Sequence, residues 1–388
     1  MKHLISSSII TLSALTVQQA SAQDQPVIQE RAIDANASLR LEIENAIKTG
    51  NLYLKGAQNE AGYWKDNTVP SYTSLAITAA MRSPNLEAGK TPEHIKNAYK
   101  WLLSTQKEYG AIYVKGLATY NTSTGIMALA ASGDKAYTEA ILKARSFLIS
   151  QQADNSKVKG MEKYDGGIGY GGTYPHSDMS NTYLSIEALK ISEVIAKDNN
   201  VDDQVDLDWD RALDFISRCQ NLEETNDEPD ISNDGSFVYF PGNSKAGNQK
   251  NADGTETLRG YGSISYAGLM SMLYAEVGQD DPRVKSVMDW LSNNFSVKEN
   301  PGMGQQGLYY YFHVMSKALT AANIDFITTK EGKKIDWRNE LASAILTSQR
   351  EDGSWVNANS RWWENQPELV TSYAVLTLEQ IHASIPQK

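Results

Sequence analysis

The chain alternates between amphipathic segments and segments that carry almost no charge. In the first amphipathic segment, residues 35–58, Leu39, Ile43 and Ile47 recur at helical spacing among charged residues. The next segment, residues 71–81, has no charged side chain at all. The first pattern predicts a helix with one wet face, and the second predicts a helix that is buried on every side.

The same pair of patterns recurs along the whole chain. Amphipathic helices are predicted over 35–58, 91–106, 135–152, 206–220, 281–295 and 337–349, and their apolar partners over 71–81, 121–131, 181–192, 263–275, 308–322 and 369–381. Repeated helix pairs indicate a solenoid or a closed ring, and only a ring buries the second helix of each pair completely. We therefore predict an all-α fold, an (α/α)6 toroid with six inner and six outer helices, over residues 35–381. We also expect Ser, Thr or Asn to cap the starts of many inner helices.

Both ends of the chain fall outside the predicted toroid. Residues 1–22 combine a basic start, an apolar run and the small residues Ala20 and Ala22, which is the pattern of a secretory signal peptide. Residues 23–34 are predicted to be a flexible leader, and residues 382–388 a tail. The expected location is therefore exported, either periplasmic or extracellular.

Composition excludes several classes of function. The net charge of −11 over 388 residues argues against nucleic-acid binding. No later stretch is apolar enough to predict a transmembrane helix. Cys219 is the only cysteine, so an internal disulfide is excluded, and its expected role is that of a core thiol.

Two connections are much longer than ordinary loops, residues 153–180 and 221–262. Both run from an outer to an inner helix, so in an alternating toroid they lie at the same end. The amino termini of the inner helices meet at that end, and their dipoles favour an anion or a carbonyl group there. The sequence therefore predicts a mouth at the amino ends of the inner helices.

The turns after two outer helices share the pattern Gln-x-x-x-Gly-x-Trp, at Gln58–Trp64 and Gln349–Trp355. With the alternating helices, these turns resemble the repeats of the squalene cyclase and protein prenyltransferase superfamily. The segments 164–189, 261–274 and 300–311 are similar to secreted bacterial prenyltransferase/squalene-oxidase-repeat proteins. The resemblance covers residues 35–381 and implies a terpenoid cyclase-like toroid whose central cavity binds or transforms an isoprenoid.

The chain departs from the catalytic motifs of that superfamily. Squalene–hopene cyclases carry Asp-x-Asp-Asp-Thr, and the matching residues here are Asp178–Thr182, with Ser180 in the place of the proton donor. A serine hydroxyl is too weak an acid to protonate an alkene. At the zinc-binding positions of the prenyltransferases, Arg259 and Tyr261 replace the Asp-x-Cys pair, and only His313 matches. One ligand cannot hold zinc, so we predict no metal and no cofactor.

Candidate site residues are those expected at the mouth. Asp178, His176 and His313 are the candidate catalytic residues, because carboxylates and imidazoles exchange protons. The candidate substrate-binding residues are Asp165, Arg259, Tyr261, Tyr266, Tyr309, Tyr310, Arg361, Trp362 and Glu364. Some have structural alternatives: Asp178 is also suited to capping the next helix, and His313 to lying in the core.

Three classes of function remain open. The first is an isoprenoid-handling enzyme of transferase or cyclase type, or a lipid binder. The second is a secreted glycosidase or polysaccharide lyase, for which Asp165, Asp178 and Glu364 would supply the carboxylates and Trp362 a stacking surface. The third is a noncatalytic binding scaffold. The expected ligand is a small molecule or lipid, and the sequence identifies no protein partner. A deep apolar pocket would favour the first class, a shallow acidic groove the second and a filled centre the third.

Overall fold

The structure is a computed structural model that describes residues 35–155, 158–171, 176–200 and 206–385. The predicted signal peptide and leader lie outside this range, as do residues 386–388 of the predicted tail. Each of the twelve predicted helices is present. They are α1 (Ala35–Ala57), α2 (Ser71–Arg82), α3 (Glu93–Ser104), α4 (Ala118–Ala131), α5 (Thr138–Ser150), α6 (Met179–Asp198), α7 (Trp209–Arg218), α8 (Gly262–Tyr274), α9 (Pro282–Asn293), α10 (Leu308–Ala321), α11 (Trp337–Thr347) and α12 (Pro367–Ser384).

The other regular elements are short. Within the described residues, two antiparallel pairs of strands lie in connections, β1 (Asn248–Lys250) with β2 (Glu256–Leu258) and β3 (Ile327–Thr328) with β4 (Lys334–Ile335). Three 3₁₀ turns cover Lys135–Tyr137, Glu162–Tyr164 and Arg361–Trp363. Helix α12 continues to Ser384, three residues beyond the predicted end of the toroid.

The even-numbered helices form a closed inner ring. Helix α2 packs on α4, α4 on α6, α6 on α8, α8 on α10, α10 on α12, and α12 returns to α2. The odd-numbered helices lie outside; α5, for example, packs against both α4 and α6. The inner helices are buried over most of their length, as their lack of charge requires. The predicted (α/α)6 toroid is therefore confirmed.

The geometry of the turns recurs along the chain and explains why a glutamine stands at the start of these turns. The side-chain amide of Gln106 donates to the carbonyl oxygen of Gly110 at 3.0 Å and to that of Ala140, in the next outer helix, at 2.8 Å. Gln58, Gln152 and Gln220 each make an equivalent pair of bonds, one to the glycine of the same turn and one to the next outer segment. Gln349 donates to Gly353 and to Ala46 of α1, so the last repeat is bonded to the first.

The prediction that Ser, Thr or Asn caps many inner helices is wrong. Of the inner helices, only α6 is capped by the side chain of its own N-cap residue, Asp178. Acceptors from the following repeat serve instead: Asn121 accepts from the backbone N–H of Ser71, and Asn300 from that of Ser263. These two bonds satisfy helix amino termini that would otherwise be buried without partners, and they link α2 and α8 to the repeats that follow them.

Candidate functional site

Asp178 lies at the amino end of α6 and is completely buried. One carboxylate oxygen accepts from the backbone N–H of Asn181 at 2.9 Å, and the other accepts from the Asn181 side chain at 2.8 Å. Asp178 therefore caps α6, as its structural alternative predicted. The ammonium of Lys245 lies 4.1 Å from the centre of the neighbouring Tyr239 ring.

The electrostatics of Asp178 are governed by its burial. Burial raises the pKa of its carboxyl to about 6, although hydrogen bonds from Asn181 and Tyr239 act in the opposite direction. Burial, with the nearby Asp178 charge, also raises the pKa of Tyr239, of Tyr170 and of Tyr261. The carboxyl is thus surrounded by phenol groups that stay protonated.

We expect the stability contribution of Asp178 to depend on pH. It is fully present below the ordinary pKa of 3.8 and is lost as the pH rises through about 6, because over that range the unfolded carboxyl is ionised and the folded one keeps its proton. The free energy of unfolding, measured in urea, should therefore change in the natural chain relative to Asp178→Asn. Relative to the variant, the natural chain should be about 3 kcal/mol less stable at neutral pH than at acidic pH.

Circular dichroism is the control, since asparagine can still accept the Asn181 N–H and should keep α6 intact. If the pH profiles of the natural chain and the variant run parallel, the carboxyl does not titrate in the folded protein as we expect.

Glu364 occupies the equivalent end of α10. Its carboxylate accepts from the backbone N–H groups of Tyr309 at 3.3 Å and Tyr310 at 2.8 Å, and from the Asn357 side chain at 2.7 Å. Burial raises the pKa of Glu364, and these hydrogen bonds oppose the shift. Because Glu364 is 1% exposed, it lies inside the structure and not on an open cleft.

The structure brings only some of the other candidate residues together. Tyr261 and Tyr310 lie close enough to Asp178 for its charge to raise their pKa further, after burial. Asp165 lies apart, bonded to the Asn155 N–H at 2.5 Å and 3.6 Å from the guanidinium of Arg211. The other candidates lie in different surroundings. The rings of His176 and Tyr266 pack against Phe240 and Tyr311, respectively. The hydroxyl of Tyr309 donates to Ser348, and Arg259 is exposed.

Trp362 and Trp363 form an exposed aromatic pair at the same end. Both have the positive φ that favours glycine, 54° and 62°, and they are 41% and 49% exposed. The Arg361 guanidinium lies 4.8 Å from the centre of the Trp362 ring. Of the three carboxylates predicted for a glycosidase, Asp178 and Glu364 are buried and hydrogen-bonded, and Asp165 lies apart beside Arg211. The arrangement that a glycosidase would need is therefore not formed by these predicted residues.

A cavity of about 810 Å³ lies at the opposite end, between the carboxyl-terminal halves of the inner helices. We call it the C-terminal cavity. Its walls include Leu75, Thr78, Thr124, Met127, Ile141, Glu187, His313, Lys317 and Leu376, and its rim includes Arg82, Asp134, Lys135, Ile191 and Asp198. Of the candidate site residues, His313 alone is among the lining residues of this cavity.

A buried ion pair crosses the barrel at the cavity. Lys317 of α10 contacts Glu187 of α6, and the two side chains are 8% and 4% exposed. Helix α8 separates α6 from α10 in the ring, so the pair spans the interior and does not join neighbouring helices. The Lys317 ammonium also lies 5.4 Å from the centre of the Tyr183 ring. Burial lowers the pKa of Lys317, and the Glu187 charge opposes this shift.

Other polar groups near the ion pair lack protein partners. Burial, together with Lys317 and Arg82, holds the pKa of His313 well below its usual value, so the imidazole is neutral. Its Nδ1 atom has no hydrogen-bond partner among the described residues, and neither does Oε2 of Glu187. Glu379 is not a lining residue of the cavity but lies near Arg82 of its rim; it is 4% exposed, both of its carboxylate oxygens lack partners in the described part of the chain, and burial raises its pKa well above the usual value despite Arg82. Such groups are costly unless a ligand or water meets them.

Sequence reasoning missed Glu187, Lys317 and Glu379. The signal was present: Lys317 is the one charged residue of α10, Glu379 directly follows the uncharged run 369–378 of α12, and Glu187 interrupts the apolar run at the start of α6. Buried charges are uncommon and usually serve pairing or function. The long connections lie at the amino ends of these helices, and only that end was predicted to form a mouth.

Two absences concern the described residues only. Within them, no three His, Cys, Asp or Glu side chains are grouped so that they could bind a metal ion. None of their helices has the length and apolar character needed to cross a bilayer.

The fold belongs to the terpene cyclase-like class of all-α toroids. Among solved structures, the chain resembles the type II terpene cyclase MstE from Scytonema. A variant of MstE in complex with geranylgeranyl dihydroxybenzoate, described as its substrate, matches with a TM-score of 0.55 and 12% identity over 90% of this chain and 100% of that chain. The apo enzyme matches with a TM-score of 0.53 and 12% identity, over 89% and 99% of the two chains. No protein-family description and no curated protein sequence matches the chain.

Proposed function

We propose that the chain binds an isoprenoid, or an apolar molecule of similar size, in the C-terminal cavity. The cavity itself carries this proposal. Its volume of about 810 Å³ is in the range of small-molecule sites, and Leu75, Met127 and Leu376 give it apolar walls. A few polar groups at its inner end complete the usual composition of such a site.

The likeness to MstE supports the same class of ligand, since that enzyme was solved with a geranylgeranyl substrate on a toroid of the same kind. We infer binding rather than cyclisation, because Ser180 replaces the proton donor that the superfamily resemblance places there. We also propose that the chain is an atypical exported relative of the prenyltransferase-repeat proteins. This part rests on residues 1–22 and on the Gln-x-x-x-Gly-x-Trp turns.

Filling the cavity should abolish ligand binding. Met127 lines the cavity on α4 and is half-buried, so Met127→Trp places an indole inside it. We expect C20 isoprenoids at about 100 times their dissociation constant to raise the melting temperature of the natural chain by a few degrees. The variant should show no rise.

Met161→Trp is the matched control, because Met161 lies in the 153–180 connection at the other end of the barrel. It should respond to ligand like the natural chain. The proposal fails if the natural chain shows no shift with any C20 isoprenoid, or if Met127→Trp shifts as much as the control does.

A further inference from the structure

The inner end of the C-terminal cavity presents two polar atoms that the protein leaves without partners. Glu187 Oε2 and His313 Nδ1 belong to residues on the cavity wall that are 3% and 8% exposed overall. The first atom accepts hydrogen bonds only. The second belongs to a neutral imidazole, whose ring nitrogen donates in one tautomer.

The cation nearest these atoms is already paired, and the other cations lie at the rim of the cavity. Lys317 is paired with Glu187, and Arg82 lies at the exposed rim, where it donates to Gln380 at 3.1 Å. Four helix ends line the cavity, the carboxyl ends of α2, α4 and α6 and the amino end of α5. The dipoles of the three carboxyl ends disfavour a negative charge and outnumber that of α5. A carboxylate or phosphate deep in the cavity would therefore meet an uncompensated carboxylate oxygen and three unfavourable helix ends.

A hydroxyl group can donate to a carboxylate oxygen and accept from a ring N–H, so it suits the chemistry of both atoms without adding charge. We propose that the cavity selects an isoprenoid alcohol, whose hydroxyl donates to Glu187 Oε2 and accepts from His313 Nδ1–H while its hydrocarbon chain lies along Leu75, Met127 and Leu376. This inference rests on the proposed function, because it specifies the ligand of the same cavity. Lys317 contacts Glu187 and fixes its carboxylate, and its ammonium also lies 5.4 Å from the centre of the Tyr183 ring.

The test compares ligands that differ only at the polar end: geranylgeraniol, its methyl ether and geranylgeranoic acid, each titrated calorimetrically from a cyclodextrin carrier. The ether keeps the carbon skeleton but cannot donate to Glu187. We expect the natural chain to bind the alcohol about tenfold more tightly than the ether or the acid, because a hydrogen bond to a buried charged group is lost in one case and repulsion is introduced in the other.

Two variants test whether Glu187 Oε2 and His313 Nδ1 cause the preference for the alcohol. Glu187→Gln and His313→Phe should each reduce the preference for the alcohol over the ether to less than about threefold. Both should still bind the ether, which also shows that they are folded. Glu193→Gln is the control, since Glu193 lies on the same helix but pairs at the surface with Lys197; its preference should match that of the natural chain.

The outcomes separate the two proposals. If the natural chain binds none of the three ligands, the proposed function fails. If it binds alcohol and ether equally, or the acid most tightly, the cavity binds isoprenoids but the hydroxyl inference is overturned. An undiminished preference in both Glu187→Gln and His313→Phe would also overturn it.

Discussion

Replacing Lys317 with methionine should lower the free energy of unfolding by about 3–5 kcal/mol. The side chains of Lys317 and Glu187 are both buried. The substitution therefore leaves the Glu187 carboxylate buried without a counter-charge. Removing one member of such a pair costs far more than the pair itself contributes. Urea denaturation at neutral pH, analysed with a common slope for all variants, measures the loss.

The double variant Lys317→Met with Glu187→Leu should recover most of that stability, because no buried charge remains. Lys190→Met provides the control. Lys190 lies on α6, as Glu187 does, and pairs with Glu193 at 3.4 Å, but both of these side chains are partly exposed. Its cost should stay within about 1 kcal/mol. A double variant less stable than Lys317→Met would show that the two charges do not form an isolated pair.

Gly166→Ala should be the most damaging alanine substitution among the turns. A Cβ atom built on Gly166 would lie 1.8 Å from the carbonyl oxygen of Arg211, on helix α7, and the φ angle is +83°. Backbone would have to move, and with it the bonds of Gln152 that link this turn to α7. We expect a loss of at least about 4 kcal/mol, measured by urea unfolding.

Gly160 separates the clash from the backbone conformation. It has the same φ of +83° in the same connection, but no atom lies within 4 Å of its added Cβ. Gly160→Ala should cost only about 1–2 kcal/mol, the penalty of a left-handed alanine. Equal losses at Gly160 and Gly166 would mean that the close approach of turn and helix is not what requires glycine.

The sequence predicts the turns of the repeat but not the contacts that they make. The pattern Gln-x-x-x-Gly-x-Trp was visible twice, and glutamines also ended the segments at Gln106, Gln152 and Gln220. Their spacing marked the repeat, but not the bond that each one makes to the following outer helix. That bond joins residues at least 34 positions apart, and in the last repeat 303 positions apart. No local pattern records a partner at such a distance.

The amphipathic and uncharged segments determined by themselves that this protein is a double-layered ring of twelve helices. A helix without charge must be buried on every side, and alternation with wet-faced helices leaves few other ways to achieve that. The location of the cavity was decided only by the tertiary structure. It depends on which end of the barrel the side chains leave open. At the amino ends of the inner helices, Asp178 and Glu364 are buried by packing. At the carboxyl ends, Glu187 and Lys317 line the cavity. Such differences arise from packing between helices that are distant in sequence, and hydrophobic periodicity contains no information about them.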